Sequence, residues 1–411
     1  MDKKTIDFEF IKQAELLGRG TEIIPGGVMG LAERLQDAKK NNRPLRVKLG
    51  MDPTRPDLHL GHSVVMRKLK QFQDLGHQVV LLVGGATAMI GDPSGKSDTR
   101  PSLTKEEVEV NAKTYFEQIG KIVDVNNAEV TNNADWLHKL DLTNLLQLAG
   151  KITVAQMLVR DDFMKRYQTG RPIGVHEFFY PLLQAYDSVV LDADIELGGG
   201  DQRFNVLLGR DIQTAYGKEN PQLAMLLPLL EGTDGIVKMS KTYPEHCISL
   251  NEEPNNMYGK LMSIPDNLIY RYYELLTDIS NDELENVKTS LVLGNVNPRD
   301  LKMKLAKTIV TQYYGEEIAQ KAENEFINVV QKKAIPDDIK EQKQAEGELL
   351  IDIAVNVGFV ASKGEAKRLV QGGGIKLDGE KVSDVQMKLD YAGKDSVVLQ
   401  VGKRNFIKLV K

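Results

Sequence analysis

The spacing of hydrophobic residues changes along this chain, and each change predicts a different element. Val79-Val80-Leu81-Leu82-Val83-Gly84 is an unbroken uncharged run of the kind needed by a parallel strand buried on both faces. Arg46-Val47-Lys48-Leu49-Gly50 predicts a shorter strand ahead of it. Between them, Val64, Val65, Leu69, Phe72 and Leu75 recur at helical spacing until Gly76-His77 ends the helix. Strand, helix, strand within about 40 residues is a βαβ unit, right-handed by rule.

Residues 1–40 read as polar helix broken at Pro25-Gly26-Gly27. A helix is predicted from Thr104 to Ile119, with Thr104 as N-cap and Glu107 completing a capping box. Further helix patterns surround Leu140–Leu148 and Val154–Tyr167. Ser188-Val189-Val190-Leu191 and Ile195-Glu196-Leu197-Gly198 read as strand-like runs leading into a glycine-rich loop. Together these predict a doubly wound, Rossmann-like α/β catalytic domain over residues 1–245. Leu301, Leu305, Ile309 and Tyr313, four apart, mark a helical domain over 246–338. Residues 339–347 are charged and poor in apolar groups, and read as a linker. Residues 348–411 predict a small α+β domain, helical first, with turns at Asp378-Gly379 and Gly402-Lys403.

Composition narrows the class. No run of about 18 uncharged apolar residues is present, which excludes a spanning helix, and the N-terminus carries no signal-peptide core. The single cysteine, Cys247, excludes an intrachain disulfide and fits a reducing cytoplasm. The net charge of −5 argues against a generic nucleic-acid coat. It is unevenly distributed: residues 347–411 carry a net +3, the rest −8. A mildly basic tail domain can meet a polyanion, and a chance excess of three charges is the equal alternative.

The chemistry-bearing residues fall into groups. His59-Leu60-Gly61-His62 opens the helix after the first strand, where backbone N–H groups and the dipole accept phosphate. Gly61 would let a ligand approach closely. A zinc site would need ligands that no nearby Cys or third His supplies. Far downstream, Lys238-Met239-Ser240-Lys241-Thr242 follows a turn at Gly232-Thr233-Asp234-Gly235. Two ammonium groups on a loop able to move can close over β- and γ-phosphates. Gly91-Asp92-Pro93-Ser94-Gly95-Lys96-Ser97 imitates a P-loop but has three residues between its glycines where four are needed. Asp92 still stands at a strand's C-terminal end, where an α-ammonium group would suit it. Lys96 and Arg100 could fold over phosphates or be solvated surface charges. Tyr180, Gln184 and Asp187 share one helix face; once desolvated, each needs a partner. Gly198-Gly199-Gly200-Asp201-Gln202 offers bare backbone to a ligand, Asp201 for ribose hydroxyls and Gln202 for another polar group. In the tail, Lys363, Lys367, Arg368 and Lys376 can meet phosphates of structured RNA.

With these residues assembled, the chain resembles the bacterial tyrosyl-tRNA synthetases along essentially its whole length. His59-Leu60-Gly61-His62 and Lys238-Met239-Ser240-Lys241-Thr242 resemble the two signatures of class I aminoacyl-tRNA synthetases. The tail from about residue 348 is similar to the S4 RNA-binding domain. Gly91-Asp92-Pro93-Ser94-Gly95 and Leu183-Gln184-Ala185-Tyr186-Asp187 resemble the tyrosyl branch in particular. The resemblance implies an ATP-dependent tyrosine–tRNA ligase that makes tyrosyl-adenylate and passes tyrosine to the terminal adenosine of tRNA(Tyr). It implies that Asp92, Tyr180 and Gln184 hold the tyrosine ammonium group, Asp187 the phenolic hydroxyl, and Gln202 another part of the amino acid. Asp52, Thr54, His59 and His62 would contact ATP and the transition state, with Gly50 and Gly61 beside the nucleotide. Gly199 and Asp201 would hold ribose, and Lys238 and Lys241 pyrophosphate. The better-known branch has a tyrosine where Lys48 stands, and Lys48 is placed beside the substrate hydroxyl on that correspondence. Mg2+ is expected to accompany ATP with no dedicated protein metal site, and the family implies a cytoplasmic homodimer with no membrane or DNA partner. The rivals are a tryptophanyl-type synthetase, which lacks the S4-like tail and would find Asp187 a poor neighbour for an indole, and a catalytically inactive RNA-binding paralogue.

Overall fold

In a computed structural model, which describes residues 5–53, 57–92, 105–328, 339–402 and 405–411, the chain divides into two compact units, Met1–Tyr313 and Tyr314–Lys411. The first is built on six strands: β1 (Glu22–Ile24), β2 (Arg46–Met51), β3 (Gln78–Val83), β4 (Glu129–Asn132), β5 (Ile195–Gly199) and β6 (Leu223–Leu227). Their order is β1-β6-β5-β2-β3-β4. β1 pairs antiparallel with β6, and the remaining pairs are parallel. This is the expected doubly wound α/β core. Val79 to Val83 are buried, as the uncharged run requires. From β2 the chain moves outward to β3 in one direction and from β5 to β6 in the other, so the crevice at the carboxyl ends of β2 and β5 is the topological switch point.

The helix predicted over 63–75 spans Leu60–Asp74 and buries Val64, Leu69 and Phe72. Thr104, expected to cap the Lys105–Ile119 helix, lies outside the described residues. Two expectations fail for identifiable reasons. Ser188 to Val190 form the last turn of the Phe179–Val190 helix rather than a strand; a short apolar run carries too little periodicity to separate the two. The helix expected over 154–167 is split into Val154–Met157 and Asp161–Gln168. Between them, Arg160 is extended and turns its guanidinium inward, where Nε bonds Asp162 at 2.7 Å and Nη1 donates to Asn205 at 3.2 Å.

Beyond residue 250 the unit is helical, through Pro254–Met262, Ile269–Leu276, Asn281–Leu293 and Pro298–Tyr314. Leu301, Leu305 and Ile309 are buried as their spacing predicts. Tyr273 donates to the Leu301 carbonyl, joining two helices, and Tyr272 donates to that of Glu231, anchoring the segment that leads to Lys238.

The second unit carries β7 (Glu341–Lys343), β8 (Ile375–Leu377), β9 (Glu380–Lys381), β10 (Ser396–Val401) and β11 (Asn405–Val410) in the order β7-β11-β10-β8-β9. Helices Leu350–Asn356 and Lys363–Gln371 share a core with the sheet through Ile353, Ala366, Val370, Leu399 and Leu409. Asp378 and Gly379 both have positive φ, the signature of a tight hairpin turn. The stretch read as a linker departs from expectation. Its Glu341–Lys343 segment pairs parallel with β11, because an exposed edge strand needs backbone partners more than apolar side chains. Among the described residues no helix is long and apolar enough to cross a membrane.

Candidate functional site

The Leu60–Asp74 helix begins with an unusual cap. The His59 N–H donates to Nδ1 of His62, and the Gly61 N–H to Nδ1 of His59, each at 3.2 Å. In a neutral imidazole only one nitrogen carries hydrogen. With both Nδ1 atoms accepting, both rings present Nε2–H at the helix's positive end. Desolvation, together with the neighbouring Lys241, pushes His62 down to about 4, and His59 is pushed down further, first by burial and then by His62. The pair is therefore neutral near pH 7. The cap itself needs a glycine at 61: a Cβ there would meet the His59 ring at 2.9 Å and lie 3.7 Å from Met239 Cβ.

That contact brings in the second motif. Residues 248–250 run beside 58–60, with the Leu60 N–H on the Ile248 carbonyl and the Leu250 N–H on that of Leu58. The Lys238 loop is held at its root, where the Met239 N–H donates to the Leu230 carbonyl at 2.8 Å and the Gly232 N–H to that of Val237. Gly235 has a φ of 73°, as the predicted turn requires. Lys241 donates to the Asp57 carbonyl, and Lys238 pairs with Asp201 at 3.5 Å. Both lysines are thus close enough to act on the two imidazoles, and Lys238 also faces Asp201.

The other cluster lies at the carboxyl ends of β2, β3 and β5. Asp52 follows β2 and accepts from Thr87 Oγ1 and from the Tyr180 phenol, both at 2.9 Å. It fits because residue 84 is glycine; a Cβ there would stand 1.9 Å from Asp52 Oδ1. Burial, reinforced by Asp52 and Asp92, raises the Tyr180 phenol well above its ordinary value. Asp92 accepts from Gln202 Nε2 at 2.9 Å and faces Arg160 at 3.4 Å. Asp187 is sealed in the protein. It accepts from Trp136 Nε1 at 2.8 Å and Asn133 Nδ2 at 3.1 Å. Burial pushes its carboxyl up to about 6; Lys48 is the largest opposing influence, followed by the Asn133 and Trp136 hydrogen bonds. Asn133 also donates to Thr87 Oγ1 and accepts from the Ala86 N–H. A continuous chain of hydrogen bonds therefore runs from Asp187 through Asn133 and Thr87 to Asp52 and Tyr180. Gln184 Oε1 is buried without a partner, a vacancy that a cationic donor would satisfy.

Of the residues expected from sequence, Asp52 and Tyr180, Asp92 and Gln202, His59 and His62, and Lys238 and Asp201 are brought together in pairs. Gly50 lies at the exposed end of β2 and Gly199 at the end of β5. Lys48 lies under the Phe179–Val190 helix, fully buried, paired with Glu196 at 3.0 Å and close enough to act on Asp187. Thr54, Lys96 and Arg100 lie outside the described residues. Lys363, Lys367 and Arg368 are exposed on one helix of the second unit, Lys363 pairing with Asp352, and Lys376 is half-buried on β8. Sequence reasoning missed Thr87, Asn133, Trp136, Arg160 and Glu196. Glu196 was detectable, since a charge in the centre of an apolar strand needs a buried partner, and Lys48 in β2 is its complement.

Comparison with known proteins agrees over nearly the whole chain. A family model described as tRNA synthetases class I (W and Y) matches residues 39–331, and one described as the tyrosine–tRNA ligase SYY-like C-terminal domain matches 331–409. A tyrosine–tRNA ligase of Thermotoga maritima is 52% identical over 92% of this chain and 93% of its own. That of Carboxydothermus hydrogenoformans is 49% identical over 98% of each. The fold is also that of a tyrosyl-tRNA synthetase of Archaeoglobus fulgidus solved with L-tyrosine, with a TM-score of 0.60 at 21% identity over 76% of this chain and 99% of the other.

Proposed function

The chain belongs to the class I tRNA synthetases of the W and Y family, and from that premise we propose how its residues carry out tyrosine–tRNA ligation. The tyrosine carboxylate attacks the α-phosphorus of ATP, tyrosyl-adenylate forms and pyrophosphate leaves; tyrosine then passes to the terminal adenosine of tRNA(Tyr). A carboxylate nucleophile needs no general base, so catalysis is positioning and charge stabilisation. The Nε2–H groups of His59 and His62 donate to the phosphate as its charge grows, and Lys238 and Lys241 neutralise the departing pyrophosphate. Asp201, already beside Lys238, takes the ribose hydroxyls. Asp92, Tyr180 and Gln184 receive the α-ammonium group, for which the unpartnered Gln184 Oε1 is an acceptor.

The observation that carries the choice of tyrosine is the Asp187 carboxylate, buried and, among the described residues, held by two neutral donors. A phenolic hydroxyl completes it, whereas a phenyl ring would leave a buried charge under-solvated. An indole N–H can also reach a carboxylate, as Trp136 does, so the C-terminal domain and the tyrosine–tRNA ligase relatives support tyrosine over tryptophan. Retention of both histidines and both lysines supports an active enzyme over an inactive paralogue.

Mg2+ enters with ATP as its counter-ion; the phosphate-facing imidazole and ammonium groups are donors, not ligands. The second unit binds tRNA through Lys363, Lys367, Arg368 and Lys376. The enzyme works in the cytoplasm as a homodimer, and exposed Leu142, Leu146, Val154, Val159, Tyr167 and Val175 offer an apolar face for the second copy. ATP–pyrophosphate exchange with each amino acid in turn tests the reading. Exchange that depends on tyrosine supports it; tryptophan dependence, or no exchange, overturns it.

A further inference from the structure

Lys48 and Glu196 are register partners on neighbouring parallel strands, both sealed from solvent. An ammonium group has three N–H donors, and all three are used. They reach Glu196 Oε1 at 3.0 Å, Ser188 Oγ at 2.8 Å and the Gln184 carbonyl at 3.2 Å. Glu196 in turn accepts from Gln184 Nε2, Ser188 Oγ and Gln222 Nε2. Lys48 has no donor left for a substrate hydroxyl.

Its three partners have a common effect. Gln184 and Ser188 flank Asp187 on the Phe179–Val190 helix, so the clamp fixes the turn that aims this carboxylate. We propose that Lys48 is a positioning residue acting through Asp187: it holds that turn and supplies the positive charge that keeps the carboxylate ionised, without touching tyrosine. This rests on the reading of Asp187 as the group that recognises the hydroxyl. The charged groups around Asp187 are Lys48 from β2 and Glu196 from β5, while Asn133 and Trp136 are neutral donors. Lys48 lowers the Asp187 carboxyl more than Glu196 raises it, so the pair is a net aid to ionisation. A buried ion pair with only a packing role is readily replaced by apolar residues; an electrostatic duty toward a third group gives these charges a reason to persist.

The test uses the full-length double variant Lys48→Gln, Glu196→Gln, which removes both charges while keeping amide hydrogen bonds. Tyrosine- and phenylalanine-dependent exchange are compared at about pH 6.5 and about pH 8.5. At the lower pH the preference for tyrosine should fall about threefold, the loss of ionised carboxylate when a group near 6 rises by about one pKa unit, and at the higher it should match the parent. KM for ATP should not move. An equal loss at both pH values would mean that Lys48 contacts the hydroxyl or merely packs, and no loss would mean that it does neither; each overturns the proposal. Should the double variant fail to fold, Ser188→Ala loosens the same clamp, and a smaller loss confined to the lower pH is expected. A loss that ignores pH overturns the proposal there too. Exchange by the parent enzyme is recorded first: if it does not depend on tyrosine, it is the substrate assignment that fails.

Discussion

His59 and His62 lie three residues apart on one helix end, and Lys238 and Lys241 three apart on one loop. Asp187, by contrast, is held by Asn133 and Trp136, which precede it by 54 and 51 residues, and faced by Lys48 and Glu196 from two strands. The proposed phosphate side is thus made of local motifs whose geometry comes from a helix start and a turn. The proposed amino-acid side is made of buried groups that meet only once the sheet has formed. Charge follows the same division. Phosphate is strongly charged and partly solvated, so exposed ammonium groups on a loop suffice; Lys238 is 53% exposed. One hydroxyl must be told from a hydrogen, and that needs a dry carboxylate with every other neighbour fixed.

Three measurements press on this contrast. The largest effect is expected from Lys241→Ala. Adenylate formation should slow by about 10²–10³-fold, the usual cost of one donor to a developing charge, while tyrosine binding measured by titration stays within about twofold. Parallel losses would show that the two sides are not separable.

Next comes the acid stability of the imidazole cap. Both rings are held below their ordinary value of 6.5 in the folded protein, so the unfolded chain takes up these protons first as pH falls. The stabilisation is intact above pH 6.5 and is lost as pH drops toward 4. For His62, whose value is about 4, the difference is worth up to about 3 kcal/mol. Urea melts of His62→Gln across this range should show a correspondingly shallower decline than the parent; identical declines would rule out the neutral cap.

The smallest effect is expected on the other side. Trp136→Phe removes one hydrogen bond to Asp187 and should raise KM for tyrosine about tenfold, the value of a hydrogen bond to a charged group, leaving KM for ATP unmoved. A shift in ATP instead would place Trp136 in the nucleotide half.

The same contrast explains what could be read in the sequence. The alternation of buried strand and amphipathic helix gave β2, β3 and the helix from Leu60, and hence the doubly wound core, because local burial dictates those patterns. The paired His and Lys motifs were legible for the same reason. Asn133 and Trp136 were not: neither belongs to a motif, and their roles follow from the β3–β4 pairing that brings residues 129–132 beside 80–83. Arg160 hid in a helical pattern that its own inward turn interrupts. Lys48 was noticed but its partners were not, since correspondence with a tyrosine in the better-known branch says where a side chain starts, not where its ammonium finds acceptors.

Asn133 has its whole amide committed to Asp187, Thr87 and the Ala86 backbone. It acts as a strut between Asp187 and, through Thr87, Asp52. Without that amide, Asp187 and Thr87 would each lose a donor, so a single change at this position would loosen both ends of the hydrogen-bonded chain.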